Sequence, residues 1–376
     1  MPELLALDLP PGPLFVQALC SAWEAGDAVL PLDPRLPGPA VERLVDALRP
    51  ARVVSSQGTQ ALPGGGIPTE AGDALVVATS GTTGEPKGVV LTADAVQASA
   101  VATSRRLGVD PEHDRWLACL PFAHIGGLSV VTRALETGTP YRIHERFDAR
   151  RVEDEARSGT TMVSLVATAL GRTDTSRYRV VLLGGAAPPR AVPENVVTTY
   201  GMTETGSGLV YDGVPLDGVE VRLGDGSLGS SGEILVRGPM LARAYRDGHD
   251  PKLAGGWLPT GDGGSFGPDG RLVVHGRMAE VIVTGAEKVW PVAVEHALSG
   301  HPGVAEVAVW KRPDPEWGER VVAWVVPADP AVPPALGELR ESVAAQVAPW
   351  AAPKELVVVA ELPRTSSGKV RRADLA

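Results

Sequence analysis

Apolar residues in this chain come mainly in short unbroken runs, such as ALVVA (74–78), WLACL (116–120), MVSLV (162–166) and YRVVLLG (178–184). A strand with one wet face alternates apolar and polar residues. Continuous runs therefore predict strands buried on both faces, in sheets sandwiched between helices. Other stretches have helical spacing. AVERLVDALRP (40–50) predicts a helix stopped by Pro50, followed by a short strand at ARVVSS (51–56). ADAVQASAVATSRRL (93–107) predicts a helix capped by Thr92 and closed by Gly108. The Gly/Pro-rich stretch 57–73 predicts a loop.

From Val219 onward the pattern changes. EVRLGDGSLGSSGEILVRG (220–238) and RLVVHGR (271–277) predict short strands parted by Gly-rich turns, with PDGR (268–271) as a hairpin turn. Beyond Arg277 the pattern predicts a helix at AVEHALSG (293–300), strands on either side of PDPEWGE (313–319) and a helix over LGELRESVAAQVAPW (336–350). The expected fold is α/β, with a large domain at 1–275 and a small one at 276–376.

Composition narrows the function. A 44% hydrophobic and 21% charged content over 376 residues suits a globular protein with a substantial core. The net charge of −10 argues against nucleic-acid and anionic-membrane partners, which require basic surfaces. An anionic substrate would have to be held by local cations and amides. Cys20 and Cys119 are too few and too far apart for a disulfide framework or a cysteine zinc site. Seven histidines without HExxH spacing argue against a zinc hydrolase. The start, MPELLALDLPPGP, has no leader pattern, and no apolar stretch approaches ~18 residues, so a cytoplasmic location without membrane insertion is expected.

ATSGTTGEPKGVVLT (78–92) concentrates hydroxyls, glycines and Lys87. It lacks the Walker spacing, and Pro86 followed by VVL predicts strand, loop, strand rather than a helix N-terminus. Such a loop can still wrap an anion with amides and hydroxyls, with Lys87 as a mobile point charge, although a polar hairpin would look similar. TTYGMTETGSG (198–208) predicts a tight loop in which Glu204, beside small hydroxyls, is a candidate Mg²⁺ ligand. WLPTGDGG (257–264) predicts a loop between strands, where Asp262 could accept from two ribose hydroxyls. PRTSSGKVRR (363–372) ends the chain with Lys369 on a Ser/Gly loop.

Taken together, seven ordered segments resemble the adenylate-forming superfamily of acyl-CoA synthetases, peptide-synthetase adenylation domains and firefly-type luciferases. They are ATSGTTGEPKGV, PFAHIGGL (121–128), LLGGAAPP (182–189), YGMTET (200–205), WLPTGD (257–262), GRMAEVIVTGAEKVWPVAVE (276–295) and PRTSSGKV (363–370). The resemblance implies a large N-terminal domain of β-sheets flanked by helices, a small β-barrel-like subdomain, and a small mobile α+β C-terminal domain. It also implies two half-reactions using ATP, Mg²⁺ and coenzyme A. A carboxylate attacks the α-phosphate to give an acyl-adenylate and pyrophosphate, and a thiol then displaces AMP.

By the same resemblance, Thr79, Ser80, Gly81, Thr82, Thr83, Gly84 and Lys87 hold the β- and γ-phosphates. Gly184, Gly185 and Ala186 pass the adenine, and Tyr200 stacks on it. Thr203 donates to the α-phosphate and Glu204 holds Mg²⁺. Asp262, supported by Arg277, binds the ribose, and Lys369 bridges the attacking carboxylate and the α-phosphate. Gly285 falls in the pantetheine tunnel. Ala279 stands where the family usually carries Asp or Lys, which weakens the hinge assignment there.

Two features bear on the acid. The phosphate loop begins by residue 78, which leaves a compressed first subdomain and implies a compact acid. GSGLVYDGVPLDGVEVRL (206–223) and AGDAVLPLDPRLP (25–37) resemble the o-succinylbenzoate–CoA ligases of menaquinone biosynthesis. On that likeness His124, Gly206, Ser207 and Gly208 line the acid pocket, and Arg133 and Arg142 are candidates for the second carboxylate. Alternatives are another short aryl- or medium-chain acyl-CoA synthetase, a stand-alone domain loading a carrier protein, or a degenerate nucleotide-binding regulatory module. A homodimer is left open.

Overall fold

The structure, a computed structural model, describes residues 1–80, 86–189, 191–224, 231–364 and 370–375. The chain forms two compact units, Met1–Val221 with Leu235–Pro259, and Arg222–Ile234 with Thr260–Ala376. The strands Glu220–Leu223, Gly232–Arg237 and Leu258–Phe266 each carry the chain across a unit boundary.

The first unit holds two seven-stranded sheets. One runs Ala244–Tyr245, Pro86–Thr92, Asp73–Ser80, Ala28–Pro31, Leu4–Asp8, Arg52–Ser55, Gly58–Ala61. The other runs Val214–Pro215, Ser207–Tyr211, Val196–Met202, Val180–Leu183, Met162–Leu165, Trp116–Ala118, Tyr141–Ile143. The apolar runs behave as their pattern predicts. Leu75 and Val77 enter one buried cluster with residues of the helices Pro13–Glu24, Ala93–Leu107 and Ile125–Thr137, whereas Val76 enters another with Leu44 and Leu48 of the helix Gly38–Leu48. In the second sheet Leu182 faces the shared central cluster, while Val181 and Leu183 pack with Val152, Ala169 and Leu170. Both faces of the central strands of each sheet are thus packed against helices, which is why polar alternation is absent there.

Local signals also hold. Thr92 caps its helix by accepting from Ala95 N at 3.2 Å, and Gly108 ends it in the left-handed conformation. The expected loop 57–73 is shorter than the sequence suggests, because Gly58–Ala61 pairs with Arg52–Ser55 as a hairpin. The helix expected over 336–350 stops at Gln346, and Pro349 starts a separate short turn.

The second unit centres on the long hairpin Val304–Asp314 and Gly318–Pro327, joined by Ile282–Thr284, Glu287–Val289 and Glu355–Val358. The helices Pro291–Ser299 and Leu336–Gln346 supply Val294, Leu298, Leu339 and Val343 to its core. PDGR forms the turn between Leu258–Phe266 and Leu272–Arg277, as expected.

Candidate active site

The strands Asp73–Ser80 and Pro86–Thr92 are antiparallel, with Thr79 opposite Lys87, so both ends of the Gly/Thr loop are rooted in a sheet. Gly81, Thr82, Thr83 and Gly84 lie outside the described residues. Next to Pro86–Thr92 runs Ala244–Tyr245, which puts Tyr245 opposite Val89. The Lys87 ammonium lies 5.2 Å from the centre of the Tyr245 ring. The Tyr245 hydroxyl donates to Glu204 Oε1 at 2.9 Å. Burial first, then the charge and hydrogen bond of Glu204, push the Tyr245 phenol well above its ordinary value and keep it a donor.

Glu204 sits in the one-turn 3₁₀ segment Thr203–Thr205 that follows the strand Val196–Met202. The sequence suggested a single loop here, but Tyr200 belongs to the strand and only residues 203–206 turn. Glycine is required at Gly201, where a Cβ would stand 2.1 Å from the Ser207 carbonyl oxygen. The turn closes through Thr205, whose hydroxyl accepts from Met202 N (2.8 Å) and donates to Ser207 O (2.6 Å). Gly206 and Ser207 both have positive φ, +67° and +154°, so Ser207 is held in a conformation L-residues rarely adopt. The buried hydroxyls of Ser207 and Ser99 share a hydrogen bond of 3.3 Å.

Gly184 and Gly208 both pack against Thr199. A Cβ at Gly184 would lie 2.6 Å from Thr199 Oγ1, and one at Gly208 2.9 Å from Thr199 Cβ. Gly185 has φ +83°, and Ala186 is exposed. Exposed His124 precedes the helix Ile125–Thr137. It lies within electrostatic range of buried Asp33, whose carboxyl is held low first by its hydrogen bond to Arg35.

Of the two candidate arginines, Arg142 is exposed and Arg133 is 2% exposed. Arg133 lies 5.1 Å from the Trp116 ring centre, and its Nε and Nη1 have no hydrogen-bond partner among the described residues. Burial pulls its pKa down.

In the second unit, Asp262 is buried and pairs with Arg277 at 3.2 Å (Nε to Oδ1), and Arg277 Nη1 donates to Thr260 O at 3.0 Å. The expectation that Asp262 lies in a loop was wrong. It is inside the strand Leu258–Phe266, directly opposite Arg277. The glycines that suggested a turn permit close packing, since a Cβ at Gly263 would fall 2.0 Å from Trp290 Cη2 and one at Gly264 2.8 Å from Ile234 Cδ1.

Gly285 has φ +59°, and a Cβ there would lie 2.5 Å from Trp317 Cε3. Lys354 Nζ stands 3.7 Å from the Trp317 ring centre and donates to Thr284 Oγ1. Neither Trp317 nor Lys354 stands in one of the seven motif segments. Ala279 is exposed in the turn Met278–Glu280, and Lys369 lies outside the described residues.

No group of three or more His, Cys, Asp or Glu able to hold a metal occurs among the described residues. A single carboxylate such as Glu204 suits a hard cation that draws the rest of its shell from ligand oxygens, as Mg²⁺ does on a nucleotide. No helix among the described residues is long and apolar enough to cross a membrane.

Two mixed sheets wrapped in helices, with Glu204, Tyr245 and Lys87 grouped at the strand Pro86–Thr92, are an arrangement suited to a nucleotide-handling enzyme. The AMP-binding enzyme family matches residues 67–246, and the AMP-binding enzyme C-terminal domain matches residues 293–369. The chain belongs to the AMP-binding enzyme family.

Within it, the chain is 40% identical over 365 residues to a probable 2-succinylbenzoate–CoA ligase of Mycobacterium tuberculosis, covering 90% of this chain and 93% of that one. It is 36% identical over 332 residues to the 2-succinylbenzoate–CoA ligase of Listeria monocytogenes, covering 80% and 69%. The o-succinylbenzoate CoA synthetase of Bacillus subtilis, solved with its acyl-adenylate intermediate, superposes with a TM-score of 0.85 at 28% identity over 99% of this chain and 88% of that one. That synthetase has also been solved with ATP and a magnesium ion and, as a double mutant, with a CoA product analogue.

Proposed function

We propose that this chain is an ATP-dependent acid–thiol ligase that converts o-succinylbenzoate to o-succinylbenzoyl-CoA through an acyl-adenylate. The observation that carries the reading is the Lys87–Tyr245–Glu204 constellation, in a chain 40% identical to a probable ligase of that specificity.

A carboxylate and a triphosphate repel each other, so the site must neutralise charge and fix an in-line approach. Thr79 to Gly84 and Lys87 hold the outer phosphates. Gly184 to Ala186 leave room for adenine, which stacks on Tyr200, and buried Asp262, oriented by Arg277, takes the ribose hydroxyls. Thr203 donates to the α-phosphate. Glu204 would hold Mg²⁺, which supplies positive charge to the phosphates. Lys369 draws the attacking carboxylate oxygen and the α-phosphorus together; the new P–O bond forms as the bond to pyrophosphate breaks. In the second step the coenzyme A thiol gives its proton to solvent, its sulfur bonds to the acyl carbon, and AMP departs as the bond between that carbon and the phosphate oxygen breaks. The small domain, 276–376, turns between the two steps and brings Gly285 to the pantetheine arm.

His124 and Gly206 to Gly208 form the acid pocket. We assign the unactivated carboxylate to Arg133, since a buried guanidinium with unmet N–H groups is the cation such a group would complete. The test is pyrophosphate release and acyl-CoA formation across a panel of carboxylic acids with ATP, Mg²⁺ and coenzyme A. o-Succinylbenzoate should give the highest kcat/KM. A better benzoate or medium-chain acid would overturn the substrate, and pyrophosphate exchange without acyl-CoA would overturn the acceptor.

A further inference from the structure

Tyr245 is held more firmly than an edge residue needs to be. On one side Arg243 grips Asp73 through both Nε and Nη2 (2.9 and 2.8 Å). On the other, Arg246 donates to the carbonyls of Leu48, Pro68 and Ile67. The His249 ring stacks on Tyr245 at 6.0 Å and 9°, and Tyr245 N donates to His249 O. This fixed ring presents a face to Lys87 and a hydroxyl to Glu204, so one side chain touches both groups assigned to the nucleotide and its metal.

We propose that Tyr245 is a positioning residue that sets the Glu204 carboxylate for Mg²⁺ and the Lys87 ammonium for the phosphates. The proposal rests on the nucleotide site described above. By engaging Oε1, the phenol fixes the carboxylate plane and leaves Oε2 for the cation. A rigid ring under a four-carbon lysine stem limits where the ammonium travels. Partners that orient a ligating carboxylate typically matter at the level of ~10- to 100-fold in metal affinity.

The experiment is calorimetric ATP binding with Mg²⁺ and with EDTA, alongside the Mg²⁺ dependence of pyrophosphate exchange. Tyr245→Phe keeps the ring and loses the hydroxyl. It should weaken ATP binding about 10- to 100-fold in Mg²⁺, leave binding in EDTA unchanged and raise the Mg²⁺ requirement, with the KM for the acid unmoved. Tyr245→Leu should additionally weaken binding in EDTA, because Lys87 loses its ring. Glu204→Gln should abolish the Mg²⁺ enhancement, and adding Tyr245→Phe to it should change nothing further. Wild-type binding that ignores Mg²⁺ sinks the reading of Glu204 and this proposal with it. Metal-dependent wild-type binding that Tyr245→Phe retains, or loses equally in EDTA, sinks the proposal alone. Additive losses in the double variant would do the same.

Discussion

Gly201→Ala is the sharpest probe of how the Glu204 turn is built. The added methyl would stand 2.1 Å from Ser207 O and 2.7 Å from Gly208 Cα, both backbone atoms, so no rotamer change can relieve it. Non-bonded contacts relax at about 3.5 Å, so the paired strands Val196–Met202 and Ser207–Tyr211 must part by about 1.4 Å at this point. Overpacking of this kind costs ~1–3 kcal/mol, and each ladder bond lost adds ~1 kcal/mol.

The functional penalty should exceed the stability one. Tyr200 precedes Gly201 and Glu204 follows three residues later, and displacement of reacting groups by ~1 Å can cost ~10²-fold in rate. Denaturant titration and pyrophosphate release report the two effects separately. Gly126→Ala is the stability control: it sits in the helix Ile125–Thr137 with nothing within 4 Å of its would-be Cβ, and should gain ~0.5–1 kcal/mol. If Gly201→Ala matches wild type in both assays, the strands part freely and the reasoning fails. If it is destabilised yet fully active, the turn does not depend on that strand spacing.

Three further outcomes are expected. Arg133→Gln should lower kcat/KM for o-succinylbenzoate ~10- to 150-fold, mainly through KM, with ATP binding by calorimetry little changed; an unchanged KM would exclude Arg133 from the acid. Lys369→Ala should abolish acyl-adenylate formation while a supplied acyl-adenylate still reacts with coenzyme A; equal loss of both steps would contradict the two-conformation scheme. Burial holds the His275 pKa below its ordinary 6.5, so the unfolded chain takes up the extra proton as pH falls through 6.5 toward the folded value, and stability declines in that window. His275→Gln should flatten that decline; denaturation midpoints measured on either side of pH 6.5 that fall as steeply as in wild type would refute it.

Much of the fold could be read along the chain because its signals are local. Continuous apolar runs such as ALVVA specify buried strands whatever their neighbours are, and Thr92 and Gly108 cap a helix with their own atoms. The motifs likewise pointed to Lys87, Glu204 and Asp262 by type and order. Packing decided what those residues touch. The glycines after Asp262 look the same in a string whether they turn the chain or admit Trp290 and Ile234; only the tertiary contacts place Asp262 within a strand, opposite Arg277. Tyr245 is separated from Glu204 by 41 residues and carries no motif of its own, and Arg133 is set apart from Arg142 only by its burial against Trp116. Chain order encodes local backbone preference and burial pattern, whereas contacts between distant segments arise from how the layers close, which no short window of sequence contains.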